Sequence, residues 1–387
     1  MFSASPNPIA PKVLDFCRNH ESEILAFLKR LVETESPSDT KIAVDEVGAI
    51  LAKEFESLGG EIKVHRQKDY GDHLQIDFHG AHNQKPIMLL GHFDTVWSMG
   101  TLKTMPYRVE NGRVFGPGVY DMKAGITMMV FAVRALKELG AKGHRPITIF
   151  LDTDEEVGSE SSRPITEAIA RGCEAVLVLE PSQGPQGFLK TSRKGVGDCT
   201  IRVHGRASHS GVDFEKGQSA IVELARQILE VTKFVDLSRG ITVNPGVIQG
   251  GTRSNVVAAE AWVEVDLRVA RMADAAELTR KFEGLKPFNP ECRIEVTVGV
   301  NRPPMERSAG TVRLLEAAQR VGRSIGVELG ESGTGGGSDG NFTAALGIPT
   351  LDGLGAVGEG AHTVNEFIVL RDMHQRCSIL AGLLLEI

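Results

Sequence analysis

Apolar residues recur along the chain with two spacings, which separate predicted helices from predicted strands. Apolar positions at helical spacing, bounded by helix start and stop residues, predict helices at 14–32, 42–58, 122–139, 219–234, 273–282, 312–325 and 370–385. Alternating or unbroken short apolar runs predict strands at 74–78, 87–90, 147–151, 176–179, 196–203, 241–248, 256–269, 293–298 and 348–351. Strands and helices that alternate in this way indicate an α/β chain.

The order of elements changes in the middle of the chain. Between residues 191 and 300 the predicted order is strand, helix, strand, strand, helix, strand, which is that of a ferredoxin-like α+β module. A chain of 387 residues is also long for a single hydrophobic core. We therefore predict one domain formed by residues 1–190 and 301–387, and a second domain, residues 191–300, inserted into it.

Composition limits the function classes. A hydrophobic fraction of 41% and a charged fraction of 24% fit a globular enzyme, and a net charge of −7 without a basic cluster argues against a nucleic-acid partner. Five scattered cysteines without a CxxC pair indicate neither a disulfide framework nor a thiolate zinc site, and we interpret them as reduced thiols. Residues 1–11 do not read as a secretory signal, and no apolar run approaches the length of a membrane span. We expect a cytoplasmic protein without a membrane partner, with a trimmed secreted form as the open alternative.

The strand at 87–90 ends in a polar sequence that can carry chemistry. Four consecutive apolar residues predict a strand buried on both faces, followed by Gly91, His92, Phe93 and Asp94. Ligands of open α/β sheets bind at the carboxyl ends of strands. His92 and Asp94 share a face, so Asp94 can orient the imidazole while its other nitrogen holds a metal. The alternative is a strand end with a hydrogen-bonded structural histidine.

Acidic residues stand at three further boundaries of predicted helices and strands. Asp121 precedes the helix predicted at 122–139, either as its N-cap or as a carboxylate that bridges two metal ions. The strand at 147–151 runs into four carboxylates within residues 152–156, which repel one another unless a cation or a helix N-terminus lies nearby. Glu180 follows the strand at 176–179. For the acidic segment 152–156 we weigh a metal site above the helix alternative, because a strand end, acidic residues and a glycine coincide twice in the chain.

A glycine loop at 333–339 and His362 complete the candidate set. Two histidines and three carboxylates, with Asp121 shared, suit two divalent ions about 3.5 to 4 Å apart. Imidazole and carboxylate ligands without thiolate favour Zn²⁺ and permit Mn²⁺ or Co²⁺. One glutamate of the pair Glu155 and Glu156 then has to stay free of metal in order to take a proton from the attacking water.

At this point the sequence resembles the family of di-zinc metallopeptidases and N-acyl amino acid deacylases, which includes aminoacylase, acetylornithine deacetylase, succinyl-diaminopimelate desuccinylase and bacterial glutamate carboxypeptidase. The resemblance covers nearly the whole chain. It rests on the ordered blocks Gly91-His92-Phe93-Asp94-Thr95-Val96, Gly116-Pro117-Gly118-Val119-Tyr120-Asp121-Met122-Lys123, Asp154-Glu155-Glu156-Val157-Gly158-Ser159, Leu179-Glu180-Pro181, Gly205-Arg206-Ala207-Ser208-His209-Ser210-Gly211, Gly336-Gly337-Ser338-Asp339 and Gly360-Ala361-His362. It implies a zinc-peptidase-like catalytic domain with a mixed sheet flanked by helices, and an inserted ferredoxin-like dimerisation or lid domain.

The same resemblance implies roles for individual residues. One zinc ion would be held by His92, Asp121 and Glu180, and the other by Asp121, Glu156 and His362. Glu155 would be the general base, and Asp94 would orient His92. In the inserted domain, His209 resembles a histidine that stabilises the oxyanion across a dimer interface, with a polar loop residue as the alternative. The residues that resemble contacts to a substrate carboxylate are Asn255, Arg268 and Arg302, and Arg302 could equally belong to a domain hinge.

The implied reaction is hydrolysis of an amide bond by a water between two zinc ions. Glu180 favours the carboxypeptidase and deacylase branches over the di- and tripeptidases, which more often have aspartate there. The glycine loop and Arg302 lean toward the glutamate carboxypeptidases, which release a C-terminal amino acid. The protein would act as a homodimer on a peptide or an N-acyl amino acid. An N-acyl amino acid deacylase of the acetylornithine or succinyl-diaminopimelate type is the alternative. A non-catalytic, metal-stabilised binding protein is less favoured, because such a protein has no need of Glu155 beside Glu156.

Overall fold

The computed structural model describes residues 9–80 and 84–387, and the chain divides into two compact units. Unit 1 contains the described residues up to Ser192 together with Arg307–Thr334 and Ser338–Ile387. Unit 2 contains Arg193–Glu306 and Gly335–Gly337. The catalytic and dimerisation roles expected for the two predicted domains stay predictions. Residues 1–8, on which the expectation about a secretory signal largely rests, lie outside the described residues.

Helices and strands are numbered here in chain order over the described residues. The helices are α1 Ile9–Asn19, α2 Glu21–Glu33, α3 Lys41–Ser57, α4 Ala124–Glu138, α5 Arg163–Ala170, α6 Ala220–Val231, α7 Met272–Glu283, α8 Ala309–Ser324, α9 Gly340–Ala345 and α10 Leu370–Glu386. The strands are β1 Glu61–His65, β2 His73–Phe78, β3 Ile87–His92, β4 Arg108–Glu110, β5 Arg113–Phe115, β6 Ile147–Asp152, β7 Ala175–Val178, β8 Leu189–Arg193, β9 Gly195–His204, β10 Thr242–Gly250, β11 Glu260–Val269, β12 Arg293–Arg302, β13 Glu331–Thr334, β14 Thr350–Leu351, β15 Gly358–Glu359 and β16 Phe367–Val369.

A mixed six-stranded sheet forms the centre of unit 1, in the order β1-β2-β6-β3-β7-β14. Strand β3 is buried at every position and pairs in parallel with β6 and β7, as its unbroken apolar run predicts. Strands β1 and β2 are antiparallel additions at one side. Since β3, β6 and β7 run in the same direction, their carboxyl ends lie at one edge of the sheet, which positions the candidate site.

The helices of unit 1 pack together, but one of their boundaries differs from the sequence prediction. Helices α1, α4 and α10 pack against one another, and α4 is buried over most of its length. The single helix predicted at 14–32 is wrong, because the chain forms α1 and α2 with a break at His20. The His20 Nδ1 atom lies 2.8 Å from the Phe16 carbonyl oxygen, and Glu21 and Glu23 begin the new helix. Acidic side chains in a first turn favour such a start.

The segment between β3 and α4 contains more regular structure than its sequence pattern predicts. Strands β4 and β5 pair as a hairpin and join β15 and β16 in a second, four-stranded sheet. The two residues between β4 and β5 are Asn111 and Gly112, with φ of 50° and 72°. Asn-Gly is the sequence preferred in a two-residue hairpin turn with positive φ at both positions. The signal for this hairpin was therefore present in the sequence.

Unit 2 has the predicted order of elements. Its antiparallel sheet runs β10-β11-β9-β12, with α6 and α7 packed on it, which is the strand order of a ferredoxin-like module. Helix α6 begins at Ser219, whose hydroxyl accepts a hydrogen bond from the Val222 N–H group at 3.3 Å. The α/β class with a mixed sheet and flanking helices is confirmed. Among the described residues, no helix combines the length and apolar character that a membrane span requires.

Candidate metal centre

His92 is the last residue of β3 and its ring is fixed from both sides. The side chain is 1% exposed. Its Nε2 atom lies 3.3 Å from Asp121 Oδ1 and 3.3 Å from Glu180 Oε1. Its Nδ1 atom lies 3.3 Å from Asp94 Oδ1 and 3.1 Å from the Asp94 carbonyl oxygen. One ring nitrogen thus faces two carboxylates, while the other is held by Asp94.

A second group of side chains meets at the opposite oxygen of Asp121. The Nε2 atom of His362 lies 3.4 Å from Asp121 Oδ2 and 3.2 Å from Glu156 Oε2. His362 is 52% exposed and lies in a loop with a φ of 62°. This group is therefore more open to solvent than the group around His92.

We name the set His92, Asp121 and Glu180 the buried cluster, and the set Asp121, Glu156 and His362 the loop cluster. Within each cluster one ligand atom from each of the three side chains lies within 4.8 Å of the others, a spacing at which they can hold a metal ion. Asp121 belongs to both clusters, with Oδ1 directed to His92 and Oδ2 to His362. This is the arrangement of a carboxylate that bridges two cations.

Charge and solvation at the two clusters fit a pair of divalent ions. Three carboxylates lie together, and their oxygens repel one another unless positive charge is present. Glu156 Oε1 is buried and has no hydrogen-bond partner. A buried carboxylate oxygen without a partner is costly, and a cation or a donor offsets that cost. The donor set of imidazole and carboxylate is one that Zn²⁺, Mn²⁺ and Co²⁺ accept.

The pKa values of the clustered groups are shifted by the hydrogen bonds between histidines and carboxylates. Hydrogen bonds with Asp121 and Glu156 raise the pKa of His362 to about 10. Burial lowers the pKa of His92, but hydrogen bonds with Asp121, Asp94 and Glu180 outweigh burial and raise it. Burial likewise raises the pKa of Asp121, but hydrogen bonds from His362 and His92 hold it below its usual range. The centre thus stabilises positive charge between its carboxylates.

The structure rejects the N-cap alternative for Asp121. Helix α4 begins at Ala124, and the residue at its N-cap position is Lys123, which makes no side-chain capping bond. Asp121 lies in the preceding turn, Val119–Lys123, with φ of −117° and ψ of 95°, and the Asp121–Met122 peptide bond is cis. The distances from its two oxygens show that the carboxylate of Asp121 is directed at the two histidines and not at the helix.

The acidic segment after β6 places its four carboxylates in different surroundings. Glu155 and Glu156 belong to a short 3-10 turn, Glu155–Val157, and Glu156 contributes to the loop cluster. Asp154 Oδ2 accepts hydrogen bonds from the N–H group and the hydroxyl of Ser161, at 2.7 and 2.8 Å. Asp152 is buried. Glu155 is half-buried and directly precedes the cluster residue Glu156, and its role as general base stays a prediction.

The remaining predicted residues lie in unit 2. His209 and Asn255 are exposed and adjacent, because the N–H group of Ser210 donates to the Asn255 carbonyl oxygen at 3.0 Å. Arg268 donates to Asp266 from Nη2 at 2.8 Å, and Arg302 is buried at the end of β12. Their roles toward a substrate stay predictions.

Two residues that support the clusters were not among the predicted site residues. The hydroxyl of Ser38 donates to Asp94 Oδ2 at 2.7 Å, so it holds the carboxylate that holds His92. Ser38 stands in Ser36-Pro37-Ser38, which reads in the sequence only as the end of a helix. Glu366 is fully buried and accepts hydrogen bonds from the turn that carries Asp121. Its only sequence signal is a single acid before the apolar residues of β16.

The chain is similar to known proteins over most of its length. Carboxypeptidase G2 of Pseudomonas sp. (strain RS-16) is 29% identical over 377 residues, which cover 95% of this chain and 90% of that protein. Acetylornithine deacetylase of Klebsiella pneumoniae (strain 342) is 25% identical over 309 residues, which cover 74% of this chain and 79% of that protein. The crystal structure of aminopeptidase PepT from Bacillus cereus has the same fold, with a TM-score of 0.79, 24% identity and coverage of 95% of this chain and 98% of that one.

The family assignment follows from the extent of the match. Residues 88–386 match the family described as Peptidase family M20/M25/M40. This range contains every residue of both clusters. It confirms the resemblance to di-zinc metallopeptidases and N-acyl amino acid deacylases. The chain belongs to peptidase family M20/M25/M40 and is a hydrolase of the metallopeptidase and amidohydrolase type.

Proposed function

We propose that the protein is a metal-dependent carboxypeptidase that cleaves the amide bond to a C-terminal amino acid, with glutamate as the first candidate. The observation that carries the proposal is the pair of clusters that share Asp121, with Glu155 next to Glu156. The similarity to carboxypeptidase G2 over 95% of the chain supports the carboxypeptidase branch.

The proposed cofactor is a pair of Zn²⁺ ions, with Mn²⁺ or Co²⁺ as alternatives. His92, Asp121 and Glu180 would hold one ion, and Asp121, Glu156 and His362 the other. Two such ions supply Lewis-acid polarisation of the carbonyl group and stabilise the negative charge that develops on it.

The chain's own residues supply the proton transfers and the orientation. Glu155 takes a proton from the attacking water and passes it to the leaving amine. Asp94 holds Nδ1 of His92, which keeps Nε2 directed at Asp121 and Glu180. Ser38 in turn fixes Asp94.

His209 is proposed to stabilise the oxyanion in the partner subunit's active site, across a dimer interface. The N–H group of Gly211 donates to His209 Nδ1 at 3.1 Å. In a neutral imidazole whose Nδ1 accepts a hydrogen bond, Nε2 carries the proton and is a donor. A donor on an exposed side chain can serve a developing oxyanion. Asn255, Arg268 and Arg302 are proposed to contact the substrate carboxylate.

A homodimer formed through unit 2 is also part of the proposal. Strand β10 lies at the edge of its sheet, and an edge strand presents unpaired backbone groups to another chain. Helix α6 exposes three apolar side chains, Ile221, Val222 and Leu229. Sedimentation analysis is expected to give a dimer, and Leu229→Glu is expected to shift it toward monomer. A wild-type monomer at micromolar concentration contradicts this part of the proposal.

The second candidate function is hydrolysis of an N-acyl amino acid of the acetylornithine or succinyl-diaminopimelate type. The similarity to acetylornithine deacetylase favours it. A non-catalytic, metal-stabilised binding protein is a third and weaker reading, since metal binding alone leaves Glu155 without a role.

A substrate panel tests these alternatives. The Zn²⁺-loaded protein is assayed on a folate-like glutamate conjugate, an N-acyl-glutamate, acetylornithine and succinyl-diaminopimelate, and the released amine is measured. We expect the highest kcat/KM on a substrate that ends in glutamate. Activity confined to acetylornithine or succinyl-diaminopimelate shows instead that the protein is an N-acyl amino acid deacylase. Two bound ions that raise the melting temperature, without turnover of any substrate, favour the binding protein.

A further inference from the structure

Glu366 is a fully buried carboxylate that accepts four hydrogen bonds. Its Oε1 atom accepts from the N–H groups of Tyr120 and Asp121, at 2.8 and 3.1 Å. Its Oε2 atom accepts from the N–H group of Gly118 and from the indole N–H group of Trp97, both at 3.0 Å. Each oxygen therefore has two donors, which is what an ionised carboxylate needs in order to be buried.

The turn that carries Asp121 depends on this acceptor. Inside the turn, Asp121 and Met122 have non-helical backbone angles. Gly118 has a φ of 69°, which is the left-handed region that favours glycine. The N–H groups of residues 118, 120 and 121 donate hydrogen bonds to the Glu366 carboxylate and not to helix carbonyl groups. Buried N–H groups need an acceptor, so the side chain of Glu366 supports this backbone conformation.

The position of Glu366 in the chain links the turn to the loop cluster. Glu366 lies four residues after His362, and its own N–H group donates to the Thr363 carbonyl oxygen at 3.0 Å. One short loop therefore carries His362 and the carboxylate that holds the backbone of Asp121. His362 and Asp121 meet in the loop cluster, where their facing atoms are 3.4 Å apart.

We propose that Glu366 is a positioning residue for the metal centre. It fixes the Asp121 carboxylate between the two histidines and sets the distance from Asp121 to His362, without touching an ion or a substrate. This inference rests on the proposed metal centre. It assigns to Glu366 a role in ion affinity that a purely structural carboxylate does not have.

The test is the variant Glu366→Gln. Glutamine keeps the shape of the side chain but replaces one oxygen with an NH₂ group, which faces two N–H donors in either orientation. We expect the variant to bind its more weakly held Zn²⁺ ion at least about tenfold less tightly, the range typical for residues that orient metal ligands. Zn²⁺ affinity and stoichiometry are measured on metal-free protein by competition with a chromophoric chelator, and the visible spectrum of the Co²⁺-loaded protein reports on ligand geometry.

Glu223 in unit 2 offers a matched control. It is a buried carboxylate that accepts from the N–H groups of Phe288 and Asn289, both at 2.9 Å, and from the Gln227 amide at 2.8 Å. Glu223→Gln therefore disturbs a comparable carboxylate in the other unit. We expect it to lower the melting temperature and to leave Zn²⁺ affinity and the Co²⁺ spectrum unchanged.

A milder variant covers the case in which Glu366→Gln does not fold. Trp97 is half-buried, and Trp97→Phe removes one donor to Glu366 Oε2 while keeping an aromatic ring. We expect a smaller loss of Zn²⁺ affinity in the same direction.

The outcomes separate the two proposals. Wild-type affinity and Co²⁺ spectrum in a folded Glu366→Gln protein overturn the role of Glu366 and leave the metal centre standing. If Glu366→Gln does not fold, unchanged affinity in Trp97→Phe overturns it. An equal loss in Glu223→Gln shows that the effect is only one of stability, and also overturns it. A wild-type protein that binds no Zn²⁺ removes the metal centre and this inference together.

Discussion

The buried cluster and the loop cluster share Asp121 but differ in what supports them. His92 stands at the end of a fully buried strand and is 1% exposed, with Asp94 behind its ring. His362 stands in a loop, is 52% exposed and has a positive φ. The sheet therefore fixes one histidine, whereas the other depends on the hydrogen bonds of its loop. Similar ligand sets in one centre thus differ in burial and in the structure that supports them.

The largest expected effect comes from the residue that the two clusters share. Asp121→Asn removes a carboxylate oxygen, and with it negative charge, from both clusters. We expect the bound Zn²⁺ to fall from two ions to none, with loss of hydrolysis, as measured by elemental analysis and an amine-release assay. Asp15→Asn, on the exposed side of α1, is the control. Retention of one tightly bound ion in Asp121→Asn shows that one cluster stands without the bridge.

The next effect separates metal binding from proton transfer. Glu155→Gln keeps the size of the side chain but cannot accept a proton, so kcat is expected to fall by about 10²- to 10⁴-fold with two ions still bound. Steady-state kinetics and elemental analysis on the same sample check this. Glu160→Gln, an exposed acid in the same loop, is expected to behave as wild type. Loss of an ion in Glu155→Gln, or activity near that of wild type, removes Glu155 from the role of base.

Chelation sharpens the contrast between the clusters. With excess chelator, we expect the two Zn²⁺ ions to leave in two phases, the faster one from the loop cluster because His362 is exposed and His92 is not. Stopped-flow absorbance of the chelator complex measures both phases. In His362→Ala only the slow phase is expected to remain. A single phase in wild type, or a fast phase that survives in His362→Ala, contradicts the prediction that the loop cluster releases its ion faster than the buried cluster.

The smallest effect concerns the residue behind Asp94. Ser38→Ala removes a buried donor from Asp94 Oδ2 and is expected to cost about 1–3 kcal/mol of the free energy of unfolding. Thermal or urea unfolding of the metal-free protein measures it. In the exposed Ser57→Ala, which loses a hydrogen bond to the Glu54 carbonyl oxygen, the change is expected to stay within about 0.5 kcal/mol. Equal changes in the two variants show that the buried hydrogen bond contributes no more to the free energy of unfolding than the exposed one.

Sequence reasoning succeeded where periodicity and strand ends carried the information. The buried strand β3 and the order of elements in unit 2 follow from apolar spacing, because each side chain's solvent exposure depends on its own position in a helix or strand. It failed at His20, where a continuous apolar spacing hides a helix break, and at the hairpin of β4 and β5.

The candidate site shows the same division. His92 ends strand β3, and Glu156 and Glu180 follow strands β6 and β7. The carboxyl ends of these strands lie at one edge of the sheet, so the proximity of the three residues follows from the strand pattern. Asp121 and His362 lie on irregular segments, and local patterns carry no information about where such segments meet. Their residue types made them candidate ligands, but the assignment of each to particular ions came from the resemblance to a family.

By itself, the sequence determined the α/β class, the ferredoxin-like order of unit 2, and the family through ordered motifs, because these depend on local spacing and on residue identity. The tertiary structure alone decided that the two oxygens of Asp121 face different histidines, that Ser38 lies behind Asp94, and that Glu366 holds the turn of Asp121. The contact between Asp121 and Glu366, for example, joins residues 245 positions apart. The geometry of these contacts is set by the packing of the whole unit, which no local pattern encodes.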